Sequence, residues 1–90
     1  MARKRSRLDI IKDMLESIRD KNGKMKQTRL MYKANLSHTQ MKLYLEELVK
    51  KNLIEEKAEG SYKFIYITDR GFKFIESLDK IKEFETSFGI

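Results

Sequence analysis

Thr28-Arg29-Leu30-Met31-Tyr32-Lys33-Ala34-Asn35-Leu36-Ser37-His38-Thr39-Gln40-Met41 is the stretch that decides the fold of this chain. Its first part is a short helix from about Gln27 or Thr28 to Ala34, with Leu30, Met31 and Ala34 on the inner side and Arg29, Tyr32 and Lys33 pointing elsewhere. Asn35-Leu36 makes a tight connection. A new helix then opens on Ser37 at the N-cap and Gln40 at N3, a capping box that gives partners to amides a helix start leaves unpaired. Met41, Tyr44, Leu45, Leu48 and Val49 fall on one face of this helix, which runs to about Lys51 and is closed by Asn52.

The flanks extend the pattern in both directions. Met1 to Arg5 reads as a flexible basic arm. Ser6 caps a first helix, with Asp9 at N3, and Leu8, Ile11, Met14, Leu15 and Ile18 recur at 3- and 4-residue steps as its buried stripe. Lys21-Asn22-Gly23 ends that helix, because Asn and Gly tolerate the left-handed conformation of a helix C-terminus. Lys24-Met25-Lys26 is long enough only for a single extended pairing segment. Beyond Asn52, Leu53–Lys57 and Tyr62–Thr68 read as two strands around a turn centred on Glu59-Gly60. Ile65 and Ile67 share one face of the second strand, Phe64 and Tyr66 the other. Thr68 caps a last helix, Asp69 to Thr86, with Asp69 at its positive end.

Composition narrows the function classes. Ninety residues suit one domain, and 40% apolar residues suffice for a small core. No apolar run approaches the roughly 18 residues of a membrane span, and no h-region follows the basic start, so a cytoplasmic, nucleoid-associated protein is expected. Zero cysteines and one histidine leave no thiol nucleophile, disulfide framework, metal site or triad. Only four glycines occur and none forms a phosphate loop, while the carboxylates lie among lysines on helix surfaces; no enzyme and no cofactor or small-molecule ligand is indicated.

The net charge of +6 is unevenly placed. Residues 1–45 hold 12 basic and 4 acidic side chains, residues 46–90 hold 8 and 10. Lys21 through Leu45 contains no acid, yet carries Lys21, Lys24, Lys26, Arg29, Lys33 and Lys42. A basic face beside a near-neutral body suits a polyanion partner; a merely solvated lysine-rich surface is the alternative.

Together these readings give an α+β, mainly α, winged helix-turn-helix: a three-helix core, a two-stranded wing hairpin plus a short strand, and a C-terminal helix. Residues 1–68 form the DNA-binding domain and 69–90 the helix that covers the core and carries dimerisation. The chain resembles the small archaeal winged helix-turn-helix transcriptional regulators in Arg5 to Ile11, Thr28 to Ser37, Met41 to Leu45, Gly60 to Thr68 and Thr68-Asp69-Arg70-Gly71. That resemblance implies binding of double-stranded DNA through the Ser37 helix and, in some relatives, dimerisation through a long C-terminal helix.

Side-chain chemistry assigns the contacts. Ser37, His38, Thr39 and Lys42 occupy the first turns of the reading helix, although Ser37 also caps it. Lys26, Thr28, Arg29, Tyr32 and Lys33 supply donors and charge for phosphates, which set register without carrying sequence information. Arg3, Lys4, Arg5 and Arg7 form an arm that reaches backbone or minor groove. Lys57, Ser61 and Lys63 are the wing's candidates, opposed by Glu55, Glu56 and Glu59. Phe74, Leu78, Ile81, Phe84 and Phe88 are expected to join two copies into a homodimer, with Phe72 and Ile75 widening the apolar surface. A low-specificity architectural DNA binder and a winged-helix protein-interaction module remain the competing readings. RNA is disfavoured because the aromatics fall mainly in core stripes, leaving no stacking platform.

Overall fold

The computed structural model describes residues 5–89, apart from the side chain of Phe88. Its elements are α1 (Arg7–Asp20), β1 (Lys24–Lys26), α2 (Gln27–Lys33), α3 (His38–Lys50), β2 (Ile54–Glu59), β3 (Tyr62–Ile67) and α4 (Asp69–Phe88). Both capping boxes are present: Ser6 Oγ accepts from the Asp9 amide and Ser37 Oγ from the Gln40 amide, while Asp9 and Gln40 accept from the cap amides in return. Each cap contributes about 1 kcal/mol.

The first three helices stop in the same way. Asn22, Asn35 and Asn52 take φ of 61°, 55° and 60°, and the next residue's amide reaches back to close the helix. Gly23 donates to the Ile18 carbonyl, Leu36 to Met31 and Leu53 to Leu48. This is the Schellman geometry, and buried Leu36 and Leu53 supply the apolar contact that accompanies it. Because Leu53 is used in closing α3, β2 begins one residue later than the sequence suggests.

The sheet is antiparallel in the order β1-β3-β2, with Met25 opposite Ile65 and Ile54 opposite Ile67 on the face toward the helices. Glu59 pairs with Tyr62, so the two-residue turn is Gly60-Ser61, one position beyond the expected centre. Gly60 has φ of +62° and Ser61 does not enter the left-handed region; a single positive φ at the first turn position is the II′ pattern, which glycine meets without strain. Only Ile54 of β2 is buried, and on β3 Tyr62 and Lys63 are exposed, so the turn end of the hairpin projects from the body as a wing.

The core consists of Ile, Leu, Met and Ala side chains, with Met14, Leu15, Ile18, Leu30, Leu48 and Ile65 wholly buried. No aromatic ring among the described residues joins them; Tyr44 and Phe74 pack against the cluster from its rim. The expectation that the aromatics fill core stripes is therefore overturned. Two stripe assignments also change. Leu8 is 49% exposed, and Ile10 is buried in its place. At 100° per residue the two lie about 80° to either side of the stripe's centre, and packing covers only the Ile10 edge. Val49, on the corresponding edge of α3, is 37% exposed.

The start of α4 locks the wing's base to the body. Thr68 Oγ1 accepts from the Gly71 amide at 3.0 Å and donates to the Asn52 carbonyl at 2.6 Å, while Arg70 Nε donates to Lys51 O at 3.1 Å. A Cβ on Gly71 would stand 2.4 Å from Leu53 O and 2.7 Å from Ile67 Cγ1, so only glycine permits this approach. Ile75 is buried one turn on; from Ile81 to Ser87 the helix is exposed.

Candidate nucleic-acid interface

The turn between α2 and α3 turns Arg29, Tyr32 and Lys33 outward, because Leu30, Met31 and Ala34 are anchored in the core. Lys26, Thr28, Arg29, Tyr32 and Lys33 line one shallow depression of about 520 Å³ with no carboxylate in it. All five side chains that the sequence assigns to phosphate are thus in one place. Tyr32 is 79% exposed, a high value for so large an apolar ring, and its hydroxyl projects from a basic surface.

A deeper cleft of about 730 Å³ separates α3 from the wing. His38, Lys42 and Glu46 line it from α3, Lys26 and Thr28 from the β1–α2 junction, and Ser61, Tyr62 and Lys63 from the hairpin. Buried Met41 and Leu45 form its floor and fix the rotation of α3, so Thr39, Leu43 and Glu46 face away from the core. The cleft is not wholly basic. Glu46 and Glu56 enter it, and neither makes an ion pair among the described residues.

The family model for the winged helix-turn-helix matches residues 4–86. The chain belongs to the winged helix-turn-helix family. Among solved structures it is similar to Sso10a-2, a DNA-binding protein from Sulfolobus solfataricus, at 31% identity and TM-score 0.72, over 94% of this chain and 90% of that one. F93 from STIV, a winged-helix DNA-binding protein, shares the fold at TM-score 0.75 and 16% identity, covering 89% and 92% of the two chains. MepR, a transcription regulator of the Staphylococcus aureus multidrug efflux pump MepA, shares it at TM-score 0.74 and 20% identity, with 89% of this chain on 62% of that one. No curated protein sequence gives a significant match.

In winged-helix terms, α3 is the recognition helix and β2–β3 the wing. His38 and Lys42 stand in the cleft; Ser37 is engaged in its cap, and Thr39 is exposed outside the cleft on the outward side of the recognition helix. The wing residues separate. Ser61 and Lys63 line the cleft, but Lys57 lies on the opposite sheet face, 3.8 Å from Glu55 and with its Nζ 5.0 Å from the Tyr66 ring centre. Strand alternation is the reason, since Lys57 pairs with Phe64 and Lys63 does not share that face.

The arm is also revised. Arg3 and Lys4 lie outside the described residues. Arg5 is not a loose end: its guanidinium is 3.2 Å from Asp13 and donates at 3.1 Å to the Asn35 carbonyl, tying the chain start to the turn before the recognition helix. Arg7 is bound to Glu47 of the recognition helix, on the flank near the core. Of the apolar set on α4, Phe74 and Leu78 are partly covered, Ile81 and Phe84 are 56% and 57% exposed, and the Phe88 side chain lies outside the described residues.

Leu43, 62% exposed in the middle of the recognition helix, and Glu46 were missed from sequence. The signal was present: both lie on the side opposite Met41, Leu45 and Leu48. On the outer sheet face Glu59 accepts from the Tyr66 hydroxyl and pairs with Lys24 at 3.0 Å. Tyr66 first and Lys24 second hold the Glu59 carboxyl below its ordinary range, and the same contacts with Glu59 and Tyr66 raise Lys24. No group of three or more His, Cys, Asp or Glu among the described residues is arranged to hold a metal ion, and no helix there is long and apolar enough to cross a membrane.

Proposed function

We propose that this protein binds double-stranded DNA, laying α3 in the major groove and regulating transcription from the sites it occupies. The observation that carries the reading is the acid-free depression of Lys26, Thr28, Arg29, Tyr32 and Lys33 beside the recognition helix. Those donors grip phosphates on the strand flanking the groove, while Lys42 reaches guanine acceptors and Thr39 or Leu43 meets a thymine methyl. The relatives described as DNA-binding support the same partner.

Two copies join through the exposed second half of α4, where Ile81 and Phe84 lie, and present paired recognition helices to half-sites a whole number of DNA turns apart. Sedimentation of Ile81→Glu/Phe84→Glu tests this: the variant is expected to run as a monomer where the natural chain runs as a dimer.

The decisive measurement is duplex binding across salt with bulk competitor DNA. About six phosphate contacts predict a loss of roughly a thousandfold in affinity between about 50 and 200 mM salt. Binding that ignores salt contradicts the electrostatic basis of the reading. A regulator keeps its preferred duplex in the presence of competitor; an architectural protein releases it.

A further inference from the structure

Tyr62, Phe64 and Tyr66 alternate along β3 with Lys63, Ile65 and Ile67, so they share the sheet face turned away from the helices. β3 is the central strand, and same-face residues on it stand about 7 Å apart. Each ring has an ammonium above it. Lys26 Nζ is 4.0 Å from the centre of Tyr62, Lys24 Nζ 4.3 Å from Phe64 and 5.4 Å from Tyr66, and Lys57 Nζ 5.0 Å from Tyr66. An ammonium reaches a ring face only where no packed element covers it. The three faces therefore open outward beneath flexible lysines, and Tyr62 is 56% exposed.

The acids on this face are already engaged. Glu59 is held by Lys24 and the Tyr66 hydroxyl, and Glu55 by Lys57 at 3.8 Å. Lys26 makes no ion pair among the described residues. Lys26 and Tyr62 also line the cleft beside α3, so the aromatic row continues from the duplex-facing surface without a break.

We propose that the outer face of the sheet is a stacking platform for an unpaired strand of DNA, with bases on Tyr62 and Phe64 and phosphates held by Lys24, Lys26 and Lys57. A nucleobase replaces an ammonium on the ring, and the lysine's four-carbon stem carries the released charge to the adjoining phosphate. Base and ring then gain a stacked contact while the cation keeps an anionic partner. The choice of DNA over RNA rests on the duplex reading of the adjoining cleft; the platform itself does not.

Anisotropy titrations of a labelled thymidine oligonucleotide of about 15 residues, the matching uridine oligoribonucleotide and a duplex test this, each with three proteins. Tyr62→Leu/Phe64→Leu keeps apolar bulk on the strand and removes the π faces. It is expected to lower thymidine-oligonucleotide affinity by about 25-fold or more and duplex affinity by no more than about threefold, because Tyr62 only borders the duplex cleft and Phe64 lies outside it. Tyr62→Leu alone, at an exposed position beside the turn, keeps the test open if the double variant misfolds, with an expected loss of about fivefold. Lys33→Glu/Lys42→Glu is expected to do the converse. Leucine variants that bind the thymidine oligonucleotide as tightly as the natural chain overturn the platform. So does loss of both DNAs together in the charge-reversed variant, which would mean one shared basic face. Tighter binding of the uridine strand overturns the choice of DNA. A natural chain that binds the thymidine strand and no duplex supports the platform and overturns the duplex reading.

Discussion

The cations of α2 and α3 make no ion pair among the described residues, whereas seven of those in the surrounding frame do. Arg5, Arg7, Lys12, Arg19, Lys24, Lys51 and Lys57 each lie within 4.0 Å of a carboxylate. Arg29, Lys33 and Lys42 have no such partner among the described residues. Paired charge in the frame serves the fold, if weakly, because exposed pairs are worth only about 0–1 kcal/mol. Unpaired charge on the helix-turn-helix makes no such contribution and is what the proposed duplex reading assigns to DNA. Duplex binding and stability should therefore respond to different sets of substitutions.

The largest effect is expected where unpaired charge is reversed. Lys33→Glu/Lys42→Glu should weaken duplex binding by about a hundredfold or more while the melting temperature stays put, read by anisotropy and circular dichroism. If stability falls as well, the division between the two regions is broken. Gly71→Ala probes the opposite side. Its Cβ would press on the Leu53 carbonyl at 2.4 Å, so denaturant titration should show a loss of about 2–3 kcal/mol. Once folded at low temperature, the variant should still bind duplex DNA.

Arg7→Ala sharpens the contrast, because its arginine precedes the basic stretch and yet is bound to Glu47. Unfolding stability should drop by about 1 kcal/mol or less, with duplex affinity nearly unchanged. A large loss of affinity instead would return Arg7 to the DNA-contacting set. The smallest effect belongs to the wing's outer face. Glu59 titrates lower in the folded chain than in the unfolded one, so its contact with Tyr66 and Lys24 is whole above the ordinary carboxylate value of 4.5 and fades as pH falls through the folded one. Lys24 is shifted upward, so its share is complete below 10.5 and is lost as pH rises past the folded value. NMR titration of the Glu59 carboxyl and the Tyr66 ring should show one transition on the acid side, displaced below 4.5.

What could be read from the sequence followed the range of the interaction. Capping boxes span three residues and are spelled out by Ser6-Asp9 and Ser37-Gln40; the asparagine helix ends are equally local. The set assigned to phosphate lies within eight residues, Lys26 to Lys33, so a short helix was enough to gather it in one depression. The pairing of Arg7 with Glu47 crosses 40 positions, and nothing nearby in the chain announces it. Leu8 and Val49 were misjudged for a related reason: periodicity locates a stripe, and only tertiary packing decides how far round the helix it is covered. In the hairpin, alternation separated Phe64 and Tyr66 from Ile65 and Ile67 correctly. The turn centre slipped by one because Gly60 takes the first of the two turn positions, not the second.

An interior of aliphatic and methionine side chains has an optical consequence. The chain has no tryptophan, and none of its four tyrosines is buried: Tyr32 and Tyr62 are exposed, Tyr44 and Tyr66 half-covered. Tyrosine emission therefore comes from the surface and, through Tyr44, from the rim of the core, while the buried aliphatic side chains absorb no near-ultraviolet light. Melting of the core is visible in far-ultraviolet dichroism, through the backbone. The phenol bands report Tyr32 beside α3, Tyr62 and Tyr66 on the sheet and Tyr44 at the rim of the core, so the unmodified chain carries chromophores on the surfaces proposed to hold DNA.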